Sequence, residues 1–221
     1  MPLQNRVDPF GRIHAVAARG AFTGNRGIIH DPKERCLRGR RWTTKAWIIC
    51  DCAYNDRPPR DVMGYNGRSG KAGWTELFFL DEVTALAAGH RPCFTCRNEA
   101  ARHFLRAYGE ALGVDQPKAP QLDAYLHRER RVSGIGGQSI ARDQVPQLPD
   151  GAMVEINDVP FAVRYGLAHR WTFDGYEPGV GSLSGNIRLI TPVTTLAVLR
   201  QGYAPVWSAA MPRADSRLNG T

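Results

Sequence analysis

The chain has 221 residues, 43% of them apolar and 23% charged, and a net charge of +8. That length can bury a sizeable core as one large domain or two small ones, and the composition is that of a folded chain, not a disordered or fibrous one. No stretch reaches the roughly 18 apolar residues of a membrane-spanning helix, and residues 1–8 lack the apolar core of a secretory signal. A cytoplasmic protein with no membrane partner is expected, in a compartment that keeps thiols reduced.

Residues 1–35 alternate short apolar stretches with glycine and proline, as at Asp8-Pro9-Phe10-Gly11 and Phe22-Thr23-Gly24-Asn25, and read as short strands joined by turns. Residues 45–52 form a compact apolar run that reads as a buried strand. Residues 55–73, with Pro58, Pro59, Gly64, Gly67, Gly70 and Gly73, form a long polar loop, and 74–80 a second strand. Asp81 is placed to cap a short helix over 82–88 that Gly89 stops. A longer helix begins near Arg97 and carries Ala101, Phe104, Leu105, Tyr108, Ala111 and Leu112 on one stripe. A further helix is expected over 121–131, after Pro117 and Pro120. Residues 133–151 read as a connector. Strands follow at 153–156, 161–165, 169–172 and 187–190, then a helix over 193–201 that ends at Gly202. The expected fold class is α+β: a zinc-stapled N-terminal α/β module (1–132) packed against a small β-rich region with a closing helix (152–210), unless the two run together as one domain.

Two tight cysteine pairs carry most of the chemical information: Cys50-x-Cys52 and Cys93-Phe94-Thr95-Cys96. Zinc takes four soft ligands at about 2.3 Å, and short spacings let neighbouring residues converge on one ion. The second pair lies in a turn that opens into a helix, whose first N–H groups favour thiolate charge. These four cysteines are the expected zinc ligands; disulfides or unconnected core cysteines are the alternatives. His90 is placed to stand beside the site or to replace one cysteine, and Cys36 is left over as a bystander.

The stretch Phe78-Phe79-Leu80-Asp81-Glu82-Val83, followed by Ala88-Gly89-His90-Arg91-Pro92-Cys93 and Cys96-Arg97, resembles the Ada-type metal-binding module of bacterial DNA alkyl-phosphotriester repair proteins. The likeness covers residues 74–97. It departs at the first pair, which that module spaces by three residues and this chain by one. The resemblance implies zinc, a DNA partner and a thiolate that accepts a methyl group. Over its full length the chain is similar to a group of small bacterial proteins, a likeness that implies no activity.

The positive charge is mostly arginine and is clustered at Arg35, Arg38, Arg40 and Arg41, at Arg57 and Arg60, and at Arg128, Arg130 and Arg131. Planar guanidinium forks match phosphate oxygens, so Arg38, Arg40, Arg41, Arg128, Arg130 and Arg131 are expected to contact nucleic acid, with Trp42 or Trp47 offered for base stacking. A solvated basic surface is the plainer alternative. The expected function is therefore a zinc-binding protein that binds or acts on nucleic acid. The rival is an enzyme for a small anionic or nucleotide-like substrate, with His30 and Asp31 after a glycine-flanked turn and His127 and Glu129 on a basic helix as its acid–base groups. A basic interaction module without chemistry is the third reading.

Overall fold

The computed structural model describes residues 1–53, 61–133, 137–181 and 183–212, with the backbone alone at 131–133. The glycine- and proline-punctuated N-terminal stretch folds into β1 (Arg6–Val7), β2 (Ile13–His14), β3 (Phe22–Asn25) and β4 (His30–Asp31), followed by β5 (Cys36–Leu37). The apolar run around Ile49 is β6 (Ile48–Asp51), and the paired phenylalanines lie in β7 (Leu77–Phe79). Then come α1 (Glu82–Ala87), β8 (Arg91–Pro92), α2 (Asn98–Leu112) and α3 (Ala119–Ser133). Strands β1, β2, β3, β6, β7 and β8 form one mixed sheet in the order β2-β1-β7-β3-β6-β8, and β4 pairs with β5 alone.

The C-terminal part holds β9 (Met153–Ile156), β10 (Val159–Arg164), β11 (Leu167–Thr172), β12 (Gly175–Tyr176), β13 (Ile187–Leu189) and α4 (Val193–Arg200). Its five strands form an antiparallel sheet in the order β12-β11-β10-β9-β13. The two-residue β12 has too short a pattern to stand out in the sequence. The fold is thus mixed α+β, as expected.

Three apolar clusters tie these layers together. The first packs Ile49, Leu77 and Phe79 of the mixed sheet against Phe104 and Tyr108 of α2, Leu122 and Leu126 of α3, and Val198 and Leu199 of α4. The second fills the antiparallel sheet and includes Val145 and Leu148. The third joins Leu80, Val83 and Ala87 to Met153, Ala162, Trp171 and Tyr176, across the boundary between the two regions. Within the expected connector, Arg142–Gln147 forms a 3-10 turn whose Val145 is buried in the second cluster. The α2 stripe also shifts slightly, with Ala107 buried and Leu112, the last residue of the helix, 44% exposed.

At the centre stands the dipeptide Asp81-Glu82, both residues fully buried. Asp81 caps α1 by accepting from the Thr84 amide at 2.8 Å, and also accepts from the Tyr176 hydroxyl at 2.8 Å and the Ser208 amide at 3.1 Å. Burial pushes its carboxyl up, and these donors pull it back. Glu82 takes a two-pronged bond from Arg97 at 2.7 and 2.9 Å, the Tyr203 hydroxyl at 2.6 Å and the Val206 amide at 2.9 Å. Removing one partner of such a buried pair leaves an uncompensated charge, so Glu82→Leu is expected to cost about 3–5 kcal/mol in urea denaturation. A cost near zero would show that Arg97 finds equal compensation elsewhere.

Candidate metal centre

Backbone register brings the cysteines together. Strand β6 runs parallel to β8, with Ile48 opposite Arg91 and Ile49 opposite Pro92, so the next step along sets Cys50 beside Cys93. Arg91 donates its amide to Trp47 O at 3.0 Å and Cys93 its amide to Ile49 O at 2.9 Å. The intervening Pro92 occupies the alternate position, whose N–H would point away from β6, on the outermost strand of the sheet, where proline costs no ladder bond. After Cys93 the chain turns: the Arg97 amide bonds Cys93 O at 3.0 Å, and the Thr95 amide reaches Cys93 Sγ at 3.3 Å. That turn swings Cys96 back and starts α2.

The outcome is three thiols, Cys50, Cys93 and Cys96, whose sulfur atoms all lie within 4.8 Å of one another. Such a cluster can hold a metal ion. Cys93 is buried and the other two are half-buried. The Cys50 thiol, together with the amides of Cys96 and Thr95, draws the Cys93 thiol well below its usual range, while sharing that bond pushes Cys50 up. Burial pushes the Cys96 thiol up, so the three sulfurs are placed to share their protons, and the thiolate is the form that binds a metal.

Cys52 does not join them. A C-x-C pair faces one way only while the strand continues, and β6 stops at Asp51. The chain bends there, leaving Cys52 exposed with its thiol donating to Ala21 O at 3.4 Å. Cys36 is exposed on β5, outside the cluster.

His90 is no ligand either. It is fully buried between Phe79 and Trp47, with ring centroids 4.7 and 5.0 Å away, and its Nε2 accepts from Arg26 Nε at 3.2 Å. Burial, then the charges of Arg26 and Arg130, hold it neutral. Gly89, at φ +83°, ends α1 in the left-handed region, and a Cβ there would lie 2.6 Å from Arg130 Cγ. Only glycine meets both requirements.

Two ion pairs clamp the elements that carry the thiols. Arg97, next to Cys96, reaches Glu82 and also Asp51 at 3.4 Å. Arg91, two residues before Cys93, makes a two-pronged bond to Asp123 of α3 at 2.9 and 2.9 Å, both residues buried. Neither pair stands out in the sequence, since nothing in the spacing links Arg91 to a carboxylate 32 residues on.

The expected acid–base residues have other settings. His30 is fully buried, with Nδ1 bonded to Thr75 Oγ1 at 2.6 Å and Nε2 to Gly64 O at 3.2 Å. Asp31 caps the following turn through the Lys33 and Glu34 amides and pairs with Arg38 at 2.9 Å. Glu129 accepts from the Thr194 amide and from its hydroxyl at 2.6 Å. It thereby supplies the acceptor that Pro192, at the N-cap of α4, lacks. His127 packs edge-on to Trp42 at 5.4 Å. The bonds of the His30 pair run to Thr75, Gly64 and Arg38, and those of Glu129 run to Thr194 of α4.

Of the expected phosphate-binding arginines, Arg38, Arg40, Arg41 and Arg128 are exposed. Arg130 is buried and donates to Leu126 O and Lys45 O at 3.0 and 3.1 Å, because the helical repeat of α3 turns it toward the core. Trp47 is only 1% exposed and is closed to a base, whereas Trp42 is partly exposed. The side chain of Arg131, and Arg57 and Arg60 entirely, lie outside the described residues.

No described helix is long and apolar enough to cross a membrane. No family model matches the chain, and neither a curated protein nor a solved structure matches it. Asp123→Ala should cost about 3–5 kcal/mol by leaving Arg91 buried and unpaired. Arg170→Ala, which breaks the exposed pair with Glu177, should leave the denaturation midpoint nearly unchanged. Equal effects would mean that the Arg91 bridge does not hold β8 to α3.

Proposed function

We propose that the protein binds zinc through Cys50, Cys93 and Cys96 and uses a basic, aromatic face that includes α3 to bind single-stranded nucleic acid. The observation that carries the reading is the three-thiol cluster, since three sulfurs within 4.8 Å suit an ion that prefers tetrahedral thiolate ligands at about 2.3 Å. Three cysteines leave one zinc position to a donor that is not a cysteine. Bound there, zinc would join β6 to the start of α2, so its binding free energy would also be folding free energy.

The nucleic-acid half of the reading is supported by a different group. Lys45, Tyr125, His127 and Arg128 line one open depression between α3 and the segment that leads into β6. Trp42 stands against His127, Arg41 lies 5.8 Å from the Trp42 ring, and Arg128 lies 4.3 Å over Tyr125. Exposed rings flanked by cations suit unpaired bases on a phosphate backbone, because every base has a stackable face. The net charge of +8 favours the same class of partner.

Elemental analysis tests the first half. Purified protein is expected to carry about one zinc per chain, to lose it in Cys93→Ser and Cys96→Ser, and to keep it in Cys52→Ser and Cys36→Ser. Soluble wild-type protein without metal, or depletion in Cys52→Ser, would sink the assignment. Fluorescence anisotropy with a labelled single-stranded oligonucleotide at several salt concentrations tests the second half. Lys45→Gln with Arg128→Gln should flatten the log–log salt slope, by about 0.7 for each phosphate no longer neutralised. Tyr125→Ala should weaken binding by about 1–3 kcal/mol. Affinity and salt slope unchanged in both of these variants would rule this face out.

A further inference from the structure

A second cavity of about 280 Å³, which shares only Arg41 with the groups named for the single-strand face, lies between the N-terminal segment, α1 and the antiparallel sheet. This is just below the usual range of drug-sized ligand sites, about 300–1,000 Å³, and suits a small ion. Its walls include four guanidinium groups, Arg12, Arg41, Arg130 and Arg188, against two carboxylates, Glu155 and Asp158. Arg188 is matched to Glu155 at 3.5 Å. For Arg12, Arg41 and Arg130 no carboxylate lies within ion-pair distance among the described residues. The Trp47 ring is part of the lining, with the Arg130 guanidinium carbon 4.2 Å from its centroid.

Behind this wall stands a fifth arginine. Arg26 is fully buried, with its guanidinium carbon 3.9 Å from the Trp47 ring centroid. It donates to Gly11 O at 2.9 Å and to His90, and its remaining Nη2 sits behind Gly11, between the lining residues Phe10 and Arg12. Arg26 Nη2, Arg130 Nη1 and Trp47 Nε1 are all buried without a hydrogen-bond partner. Stacking on Trp47 accounts for the two guanidinium planes. It does not neutralise them: burial, then the charges of Arg41 and Arg130, holds the Arg26 guanidinium well below its ordinary range. Repulsion of this kind among cations in a low-dielectric setting is relieved by an anion placed between them.

We infer that this cavity binds a phosphate-type oxyanion, held by Arg12, Arg41 and Arg130 above Trp47. Guanidinium forks match its oxygens two at a time, and a dianion balances the surplus of positive charge lining the cavity. Arg26 reinforces the site through its charge without reaching the ligand. The phosphate can be carried on a small molecule or at the end of a nucleic-acid strand; the recognised group is the same.

Isothermal titration of the full chain with inorganic phosphate and with pyrophosphate, against chloride at matched ionic strength, tests this. Saturable binding at millimolar concentration or below is expected, with affinity falling about tenfold or more in Arg12→Gln/Arg41→Gln, as expected when two charge-assisted bonds are removed. Both substituted residues are exposed, so the variant should keep its fold, which circular dichroism checks. Tyr125→Ala, outside this cavity, should leave phosphate binding unchanged, which separates the cavity from the single-strand face. Competition by a 5′-phosphorylated oligonucleotide but not by its 5′-hydroxyl form would make strand ends the source. Failure of both to compete, with phosphate still saturable, would make it a small phosphorylated ligand. No saturable phosphate or pyrophosphate signal, or a double variant that binds like wild type, would overturn the inference.

Discussion

Two adjacent buried carboxylates, Asp81 and Glu82, set the terms for the rest of the molecule. Each must find donors inside the protein, because an unpaired charge away from water costs several kcal/mol. The donors come from widely separated parts of the chain: Thr84 in α1, Arg97 at the start of α2, Tyr176 in the antiparallel sheet, and Tyr203, Val206 and Ser208 beyond α4. The two sheets are thus tied to one point by polar geometry. The third apolar cluster, which includes Leu80 and Val83, closes around that point. Trp171 adds a bond from its indole to the Thr84 hydroxyl at 2.9 Å.

The thiol cluster depends on the same anchor. Arg97 follows Cys96 directly, so the bond that satisfies Glu82 also fixes where the Cys93–Cys96 turn ends. On the other side, Arg91 pins β8 to α3, and the parallel register of β6 with β8 delivers Cys50. Three independent constraints therefore converge on three sulfur atoms. Preorganisation of this kind lowers the ordering cost of capturing an ion.

How much can be read beforehand follows from the range of each interaction. Asp81 at the N-cap and Gly89 at the exit of α1 are local rules, and both hold. The strands around Ile49 and Phe79, the helix after Cys96 and α4 follow from apolar period and end with a shift of only a few residues. Cys93 and Cys96 are legible as a pair because a turn joins them. Cys52 is not legible in the same way, since its direction depends on where β6 stops, which the ladder with β3 decides. The cluster of Arg26, Trp47, His90 and Arg130 is invisible in sequence. Its members lie up to about a hundred residues apart, and a buried arginine reads like an exposed one until a ring is placed against it.

The donors to Glu82 at Tyr203 and Val206, and the Ser208 amide that reaches Asp81, lie more than 120 residues after the carboxylates they satisfy. During synthesis the N-terminal half emerges first and must hold these two acids without those partners. Until residues 203–208 dock, the two carboxylates lack part of the donor set that their burial requires. The last step in closing the core is therefore a long-range one, and contacts of such sequence separation slow folding because the loop entropy is lost before the contact forms.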